Sequence, residues 1–258
     1  MAVVTGAARG IGAATVRGLA AEGWTVVAVD RAGDDPRLPY ALGSAAELES
    51  VAAECGGGRV TAVAADAADL AAVRRIISDA EAAHGGIDAV IAVAGTIAGG
   101  VPLWEMPDDE LDAVLAGNLF SALACARAGI PALLRRPQPR AGRFIAVAST
   151  AAARGLPMLA GYCAAKAGIV GLVRALALEL GGTGITANTV SPGSTRTAIL
   201  EQSARLYGLS GADAFAAQQP IGRLLAPEEV AAMIVWLAGP ERGAVTGADI
   251  PVDGGLAL

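Results

Sequence analysis

Along its whole length the chain alternates short runs of valine, isoleucine and alanine with longer stretches of helical periodicity, and few folds accommodate that order. Strands that are apolar on both sides, each followed by a helix, predict βαβ units in which a parallel sheet is covered on both faces. The apolar runs place strands at Ala2–Thr5, Thr25–Asp30, Arg59–Ala64, Ala89–Val93, Arg143–Ala148, Ile185–Val190 and Ile250–Val252. Helices are predicted at Ile11–Glu22, with Gly23 as its stop, and at Ala45–Glu54, Leu70–His84, Asp108–Leu134, Tyr162–Leu180 and Pro227–Leu237. The reading is one α/β domain over residues 1–258, doubly wound on a seven-stranded parallel sheet. The segment Thr195–Gln219 has helical stretches but no place in the alternation, and is expected to form a substrate lid.

Composition excludes several classes. At 258 residues and 54% hydrophobic content a single domain buries a large core. A net charge of −6 without any basic run argues against nucleic acid, which needs clustered cations to neutralise phosphate. Mean hydropathy is positive, yet the most apolar window, Ala89–Trp104, is short and broken by Gly99, Gly100 and Pro102, so no membrane span is expected. Strand-like sequence starting at Ala2 leaves no room for a signal peptide, and a cytoplasmic location is expected. Cys55, Cys125 and Cys163 are odd in number and far apart, which predicts free thiols. The sole histidine, His84, precedes Gly85 and Gly86 and reads as a helix end. Neither a His-containing triad nor a His-rich metal site has a candidate, and no metal is expected.

Phosphate chemistry is carried by the first turn. Thr5-Gly6-Ala7-Ala8-Arg9-Gly10-Ile11-Gly12 lies between a strand and an apolar-periodic helix. Gly6 permits a tight turn, Gly10 lets backbone approach a pyrophosphate, and Gly12 allows helix and strand to pack closely while the helix N-terminus offers free N–H groups. The second strand ends in Asp30, where a carboxylate accepts from the adenosine ribose hydroxyls and repels a 2′-phosphate, which predicts NAD over NADP. Arg31 and Arg9 are both placed to contact a 2′-phosphate, so NADP stays open.

Lys166 is the only lysine among 19 basic residues, and it follows Tyr162 by four positions, on the same helix face. A lysine is a compact point charge whose field favours a neighbouring phenolate, whereas a guanidinium is bulky and fork-shaped. A free tyrosine titrates near about 10, so an adjacent cation is expected to bring Tyr162 toward use as a general base.

Taken with Asp66, Asn118, Ser149, Asn188, Ser191-Pro192-Gly193 through Thr197, and Asp253-Gly254-Gly255, the turn and the Tyr162/Lys166 pair resemble the short-chain dehydrogenase/reductase family, a Rossmann-type fold, over essentially the whole chain. The resemblance implies that Tyr162 is the catalytic acid/base, that Ser149 hydrogen-bonds the reacting oxygen, and that Lys166 holds the nicotinamide ribose. It also implies that Asn118 anchors a water linking Lys166 to solvent. Asp66 and Ala67 are then adenine contacts, while Pro192, Gly193, Thr195 and Thr197 lie along the nicotinamide and pyrophosphate. Ala94 and Gly95 keep a close backbone approach to the cofactor. Where the family shows Asn-Asn-Ala-Gly this chain has Ala92-Val93-Ala94-Gly95, which puts the bracing of neighbouring strands in question. Homotetramers built through the long helices are a further implication.

The segment Arg31–Gly58 is longer than a βα connection needs. Together with Ile97–Trp104, Ser191–Thr197 and Leu206–Leu209, it resembles the mycofactocin-coupled subgroup, implying a bound, non-exchanging NAD that passes electrons to a peptide-derived redox cofactor. Trp104, Leu156, Met158 and Tyr207 are expected to line the substrate pocket around Ser149, and an apolar secondary or cyclic alcohol, with its carbonyl, fits such a lining. Arg154 and Arg196 leave an acidic substrate open. The alternatives are an NADP-linked carbonyl reductase and a non-catalytic dinucleotide-sensing regulator. The latter has no need of Ser149, Tyr162 and Lys166, all of which this chain retains.

Overall fold

The computed structural model describes residues 1–258. Its strands are β1 Ala2–Thr5, β2 Val26–Asp30, β3 Val60–Ala64, β4 Ala89–Ala92, β5 Arg143–Val147, β6 Thr186–Pro192 and β7 Asp249–Val252. They form one seven-stranded sheet in the order β3-β2-β1-β4-β5-β6-β7, every pairing parallel. The helices are α1 Gly10–Ala21, α2 Ala45–Glu54, α3 Leu70–His84, α4 Asp108–Leu115, α5 Ser121–Arg135, α6 Ala160–Glu179, α7 Ala198–Leu206 and α8 Pro227–Ala238.

Strand side chains alternate between two separate cores, because successive residues point to opposite faces. Val3, Val90, Phe144 and Ala146 join α3, α5 and α6 on one face. Ala2, Val4, Ile91, Ile145 and Val147 join α1, α2 and α8 on the other. Neither face meets water, which is why these strands read as unbroken apolar runs. Two helical stretches, Asp108–Arg135 and Ala160–Glu179, are long and apolar enough to cross a membrane, but their buried side chains pack into the protein core, most of them into the first of these clusters and Ala113, Val114 and Tyr162 into a smaller one around Leu38 and Ile97. His84 is the last residue of α3, and Gly85 follows it in the left-handed conformation with φ 74°, as the sequence predicts.

One element departs from expectation. The helix predicted to run unbroken over Asp108–Leu134 is interrupted by a π-helical turn at Ala116–Phe120, which separates α4 from α5. The widened turn inserts Asn118 beneath the carboxyl ends of β4 and β5. Hydrophobic periodicity is almost unaffected by one extra residue per turn, so the sequence pattern runs through the break.

Chain order around β1 reverses between β1 and β4. Each strand's helix returns on its own side there, leaving a crevice outside the carboxyl ends of the sheet. Phe144, fully buried at the centre of the α3/α5/α6 face, tests the packing that holds this crevice open. Replacement by alanine is expected to lower unfolding stability by about 3–5 kcal/mol, measured as a shift in the urea midpoint.

Candidate active site

At the start of the crevice, Gly6 turns the chain with φ 68°, and a Cβ there would lie 2.7 Å from the backbone of Ala94. A Cβ on Gly12 would sit 1.9 Å from the Gly6 carbonyl oxygen, so α1 reaches its close packing only with glycine. No side chain caps α1, whose N-cap residue is Arg9, so its first N–H groups face the crevice without a protein acceptor. Asp30, ending β2, is fixed at the rim by the amides of Ala8 at 3.0 Å and Ala32 at 3.2 Å.

The two arginines that left NADP open are both engaged. Arg31 pairs with Asp66 at 2.5 Å and with Asp35 at 3.1 Å. Arg9 donates to the Ala41 carbonyl at 3.0 Å. Asp35 is buried, and hydrogen bonds from Arg37, with Arg31 alongside, hold its carboxyl down at about 2. Residues 31–44 therefore form a strap across the crevice, held by ion pairs over residues 31–37, at its middle by Leu38, which packs with Ile97, Leu159 and Tyr162, and further on by Arg9 at the Ala41 carbonyl.

The opposite end of the crevice brings together Ser149, Tyr162 and Lys166, the residues expected to handle the proton. Ser149 opens a 3-10 turn over Thr150–Ala152, and its Oγ accepts from the Ala151 amide at 3.1 Å, leaving its own proton free to donate. Tyr162 and Lys166, one turn apart on α6, are both buried. The Lys166 ammonium lies 5.6 Å from the centre of the Tyr162 ring and donates to the Val147 carbonyl at 3.0 Å; no carboxylate pairs with it. Asn118 donates to the carbonyls of Thr96 at 2.8 Å and Val114 at 2.7 Å, while its buried Oδ1 has no protein partner. A Cβ on Gly95 would come within 3.0 Å of that oxygen and 3.5 Å of Nζ, so the absent side chain keeps open a space that both polar atoms face. An unpaired buried acceptor beside a buried donor is what a relay water requires.

The expected electrostatics are corrected here. Burial pushes the Tyr162 phenol up to about 12 against the opposing pull of the Ser149 hydroxyl, and burial pulls Lys166 down to about 8. Desolvation disfavours both charged forms, and with the ammonium tied to Val147 it outweighs attraction between the two groups. The dinucleotide-free site does not hold a ready phenolate.

A cavity of about 1120 Å³ joins these ends. Of the sequence-derived candidates, Gly6, Arg9, Gly10, Ile11, Gly12, Asp30, Arg31, Asp66, Ala67, Ala94, Gly95, Pro192, Gly193, Thr195 and Thr197 line it, as do Ser149, Leu156, Tyr162, Lys166 and Tyr207. Asn118 is fully buried behind the wall. Trp104 is a correction: on a 3-10 turn at Leu103–Glu105 its ring is 85% exposed and outside the cavity, and Met158 is likewise turned outward. Both stand in the right loops, but loop geometry turns their side chains to solvent. Tyr40, Leu42, Phe215 and Leu256 line the cavity and had not been singled out for it. Scarcity was the available signal for the first, since the chain has 3 tyrosines and all of them, Tyr40, Tyr162 and Tyr207, face this one space.

The residues present fit a nicotinamide dinucleotide: uncapped amides for the diphosphate, a rim carboxylate for the ribose, and one continuous cavity leading to Tyr162. The family model described as enoyl-(acyl carrier protein) reductase matches residues 6–257. The short-chain reductase protein NovJ of Streptomyces niveus is 37% identical over 258 residues, covering 99% of this chain and 93% of that protein. The chain belongs to the short-chain dehydrogenase/reductase family. It is thus an oxidoreductase that interconverts alcohols and carbonyls with a nicotinamide dinucleotide. Another relative, the 2-dehydro-3-deoxy-L-rhamnonate dehydrogenase (NAD(+)) of Sphingomonas sp. (strain SKA58), is 34% identical over 98% of this chain and 94% of its own. Among solved structures, carveol dehydrogenase from Mycobacterium avium in complex with NAD superposes with a TM-score of 0.92 at 28% identity, covering 99% of this chain and 96% of that one.

This short-chain dehydrogenase/reductase has found a substitute for the missing asparagines after β4. The Thr5 hydroxyl accepts from the amides of Val93 at 3.3 Å and Ala94 at 3.4 Å, bracing β1 against the end of β4, while Ala92 and Val93 pack into the two cores.

The pKa pair gives a pH signature. Lys166 at about 8 lies below the ordinary lysine value of 10.5, so between them the unfolded chain binds a proton that the folded one does not, and stability rises with pH. Tyr162, raised from 10.0 to about 12, contributes stability that is lost only above about pH 10, so below that pH the Lys166 effect stands alone. Dinucleotide-free wild type should therefore gain melting temperature relative to Lys166→Met between about pH 8 and pH 10. A pH-independent difference would show that the ammonium is not desolvated.

Proposed function

We propose that this protein is an NAD-dependent alcohol dehydrogenase that interconverts a secondary or cyclic apolar alcohol and its carbonyl, keeps its NAD bound, and passes electrons to mycofactocin. The observation that carries the reading is the single cavity with Asp30 at one end, Ser149, Tyr162 and Lys166 at the other, and a strap between. NAD is favoured over NADP because Asp30 stands at the rim while Arg31 is committed to Asp66 and Asp35.

When bound, the nicotinamide ring accepts or returns a hydride. The chain's own residues manage the proton. Ser149, with its Oγ already accepting from Ala151, donates its hydrogen to the substrate oxygen and places it. Tyr162 removes or restores the proton on that oxygen. Lys166 supplies the cation that favours the ionised phenol, and Asn118 holds a water through its free Oδ1, connecting the ammonium to solvent. The substrate half is walled by Leu156, Tyr207, Leu209 and Phe215, which suits an apolar alcohol.

Residues 195–219 serve as the lid. Thr197 caps α7 through the Leu200 amide, and Tyr207, just past α7, donates to the Pro157 carbonyl at 2.8 Å and stacks edge-on against Phe215. Opening this contact admits substrate. The cytoplasmic homotetramer belongs to the same proposal.

Retention is supported by the way the strap is secured: its buried Asp35 is held by two arginines, and Leu38 is seated beside Tyr162. Protein dialysed extensively should still release close to one NAD, and not NADP, per chain on denaturation; empty protein that cycles freely with added NAD overturns retention. Tyr162→Phe is expected to leave dinucleotide binding intact and lower turnover about 10²- to 10⁴-fold. Retained turnover would remove Tyr162 from the chemistry.

A further inference from the structure

We propose that Tyr40 is a further cofactor-binding residue, donating its hydroxyl proton to the diphosphate of the dinucleotide from the strap side, opposite the glycine turn. The inference rests on the cavity being a dinucleotide site, and it assigns a role to a residue outside the acid–base group.

Three observations meet at this side chain. The Tyr40 ring packs against the cluster around Ile97 and Leu159, and the residue lines the cavity. Its oxygen accepts the Ile97 amide at 2.9 Å. That bond occupies one lone pair and orients the group, yet the O–H has no acceptor anywhere in the protein. A half-buried donor without an acceptor, aimed into a cavity, is a feature that a ligand normally completes.

Placement selects the diphosphate. The next residue, Ala41, is held by Arg9, the N-cap of α1, so the strap crosses directly above the glycine turn. Two residues further, a Cβ on Gly43 would lie 2.8 Å from Ala8 and 3.0 Å from the Asp30 carboxylate. Tyr40 is therefore held between the glycine turn, through Ala41, and the wall after β4, through Ile97. The middle of the dinucleotide must pass through that space. Burial keeps the phenol above its ordinary value, so it is protonated and can donate to an anion at neutral pH.

Two variants separate a direct contact from mere strap closure, using NADH as the probe on protein stripped with charcoal. Tyr40→Phe keeps the ring and removes the donor. Its NADH affinity is expected to fall about tenfold or more, the loss of a hydrogen bond to a charged group, with the association rate unchanged. Leu38→Ala loosens the strap without touching that donor, so association and dissociation should accelerate together and affinity should stay within about twofold. Unchanged affinity in Tyr40→Phe overturns the proposal, as does a rise in both of its rates like that of Leu38→Ala. Retention is read separately, from dinucleotide left in the dialysed wild type, so a wild type that releases NAD fails that reading while the affinity ratio still decides this one.

Discussion

A primary ammonium buried without a carboxylate beside it is the constraint around which the carboxyl end of this sheet is organised. Leaving such a charge unpaired is costly, so it needs directed oxygen atoms and a route to solvent. Val147 supplies one oxygen from the end of β5. The π-helical turn brings the free oxygen of Asn118 to the same space, and Gly95 leaves that space unfilled.

The same desolvation acts on both members of the Tyr162/Lys166 pair. Burial lowers the tendency of Lys166 to carry its proton and raises the tendency of Tyr162 to keep its own. Above the same crevice, the segment 31–44 is secured by ion pairs of Asp35 with Arg31 and Arg37.

Much of the site was legible because its chemistry is local in sequence. The glycine turn, Asp30 and the Tyr162/Lys166 spacing each lie within one βα unit or one helical turn, where backbone geometry fixes relative position. What failed was non-local. Trp104 looked like a pocket residue from its loop, but the direction of a side chain on a 3-10 turn depends on what packs beneath it. The π-helical break escaped notice because Ala116 to Phe120 preserves the apolar pattern that periodicity measures. The Tyr162 shift was misjudged because a spacing of four residues sets proximity but not solvent exposure, and here exposure decides the sign.

The sequence by itself determined the parallel doubly wound sheet, the glycine turn that opens the first helix and the placing of Tyr162 and Lys166 one helical turn apart, since each follows from periodicities of two or four residues and from glycine's conformational freedom. Only the tertiary structure decided which arginines were already spent on carboxylates, where the strap crosses, and how water is kept from Tyr162 and Lys166. Those properties arise from contacts between residues tens of positions apart. Burial and unsatisfied hydrogen bonds belong to the packed assembly and not to any segment of it.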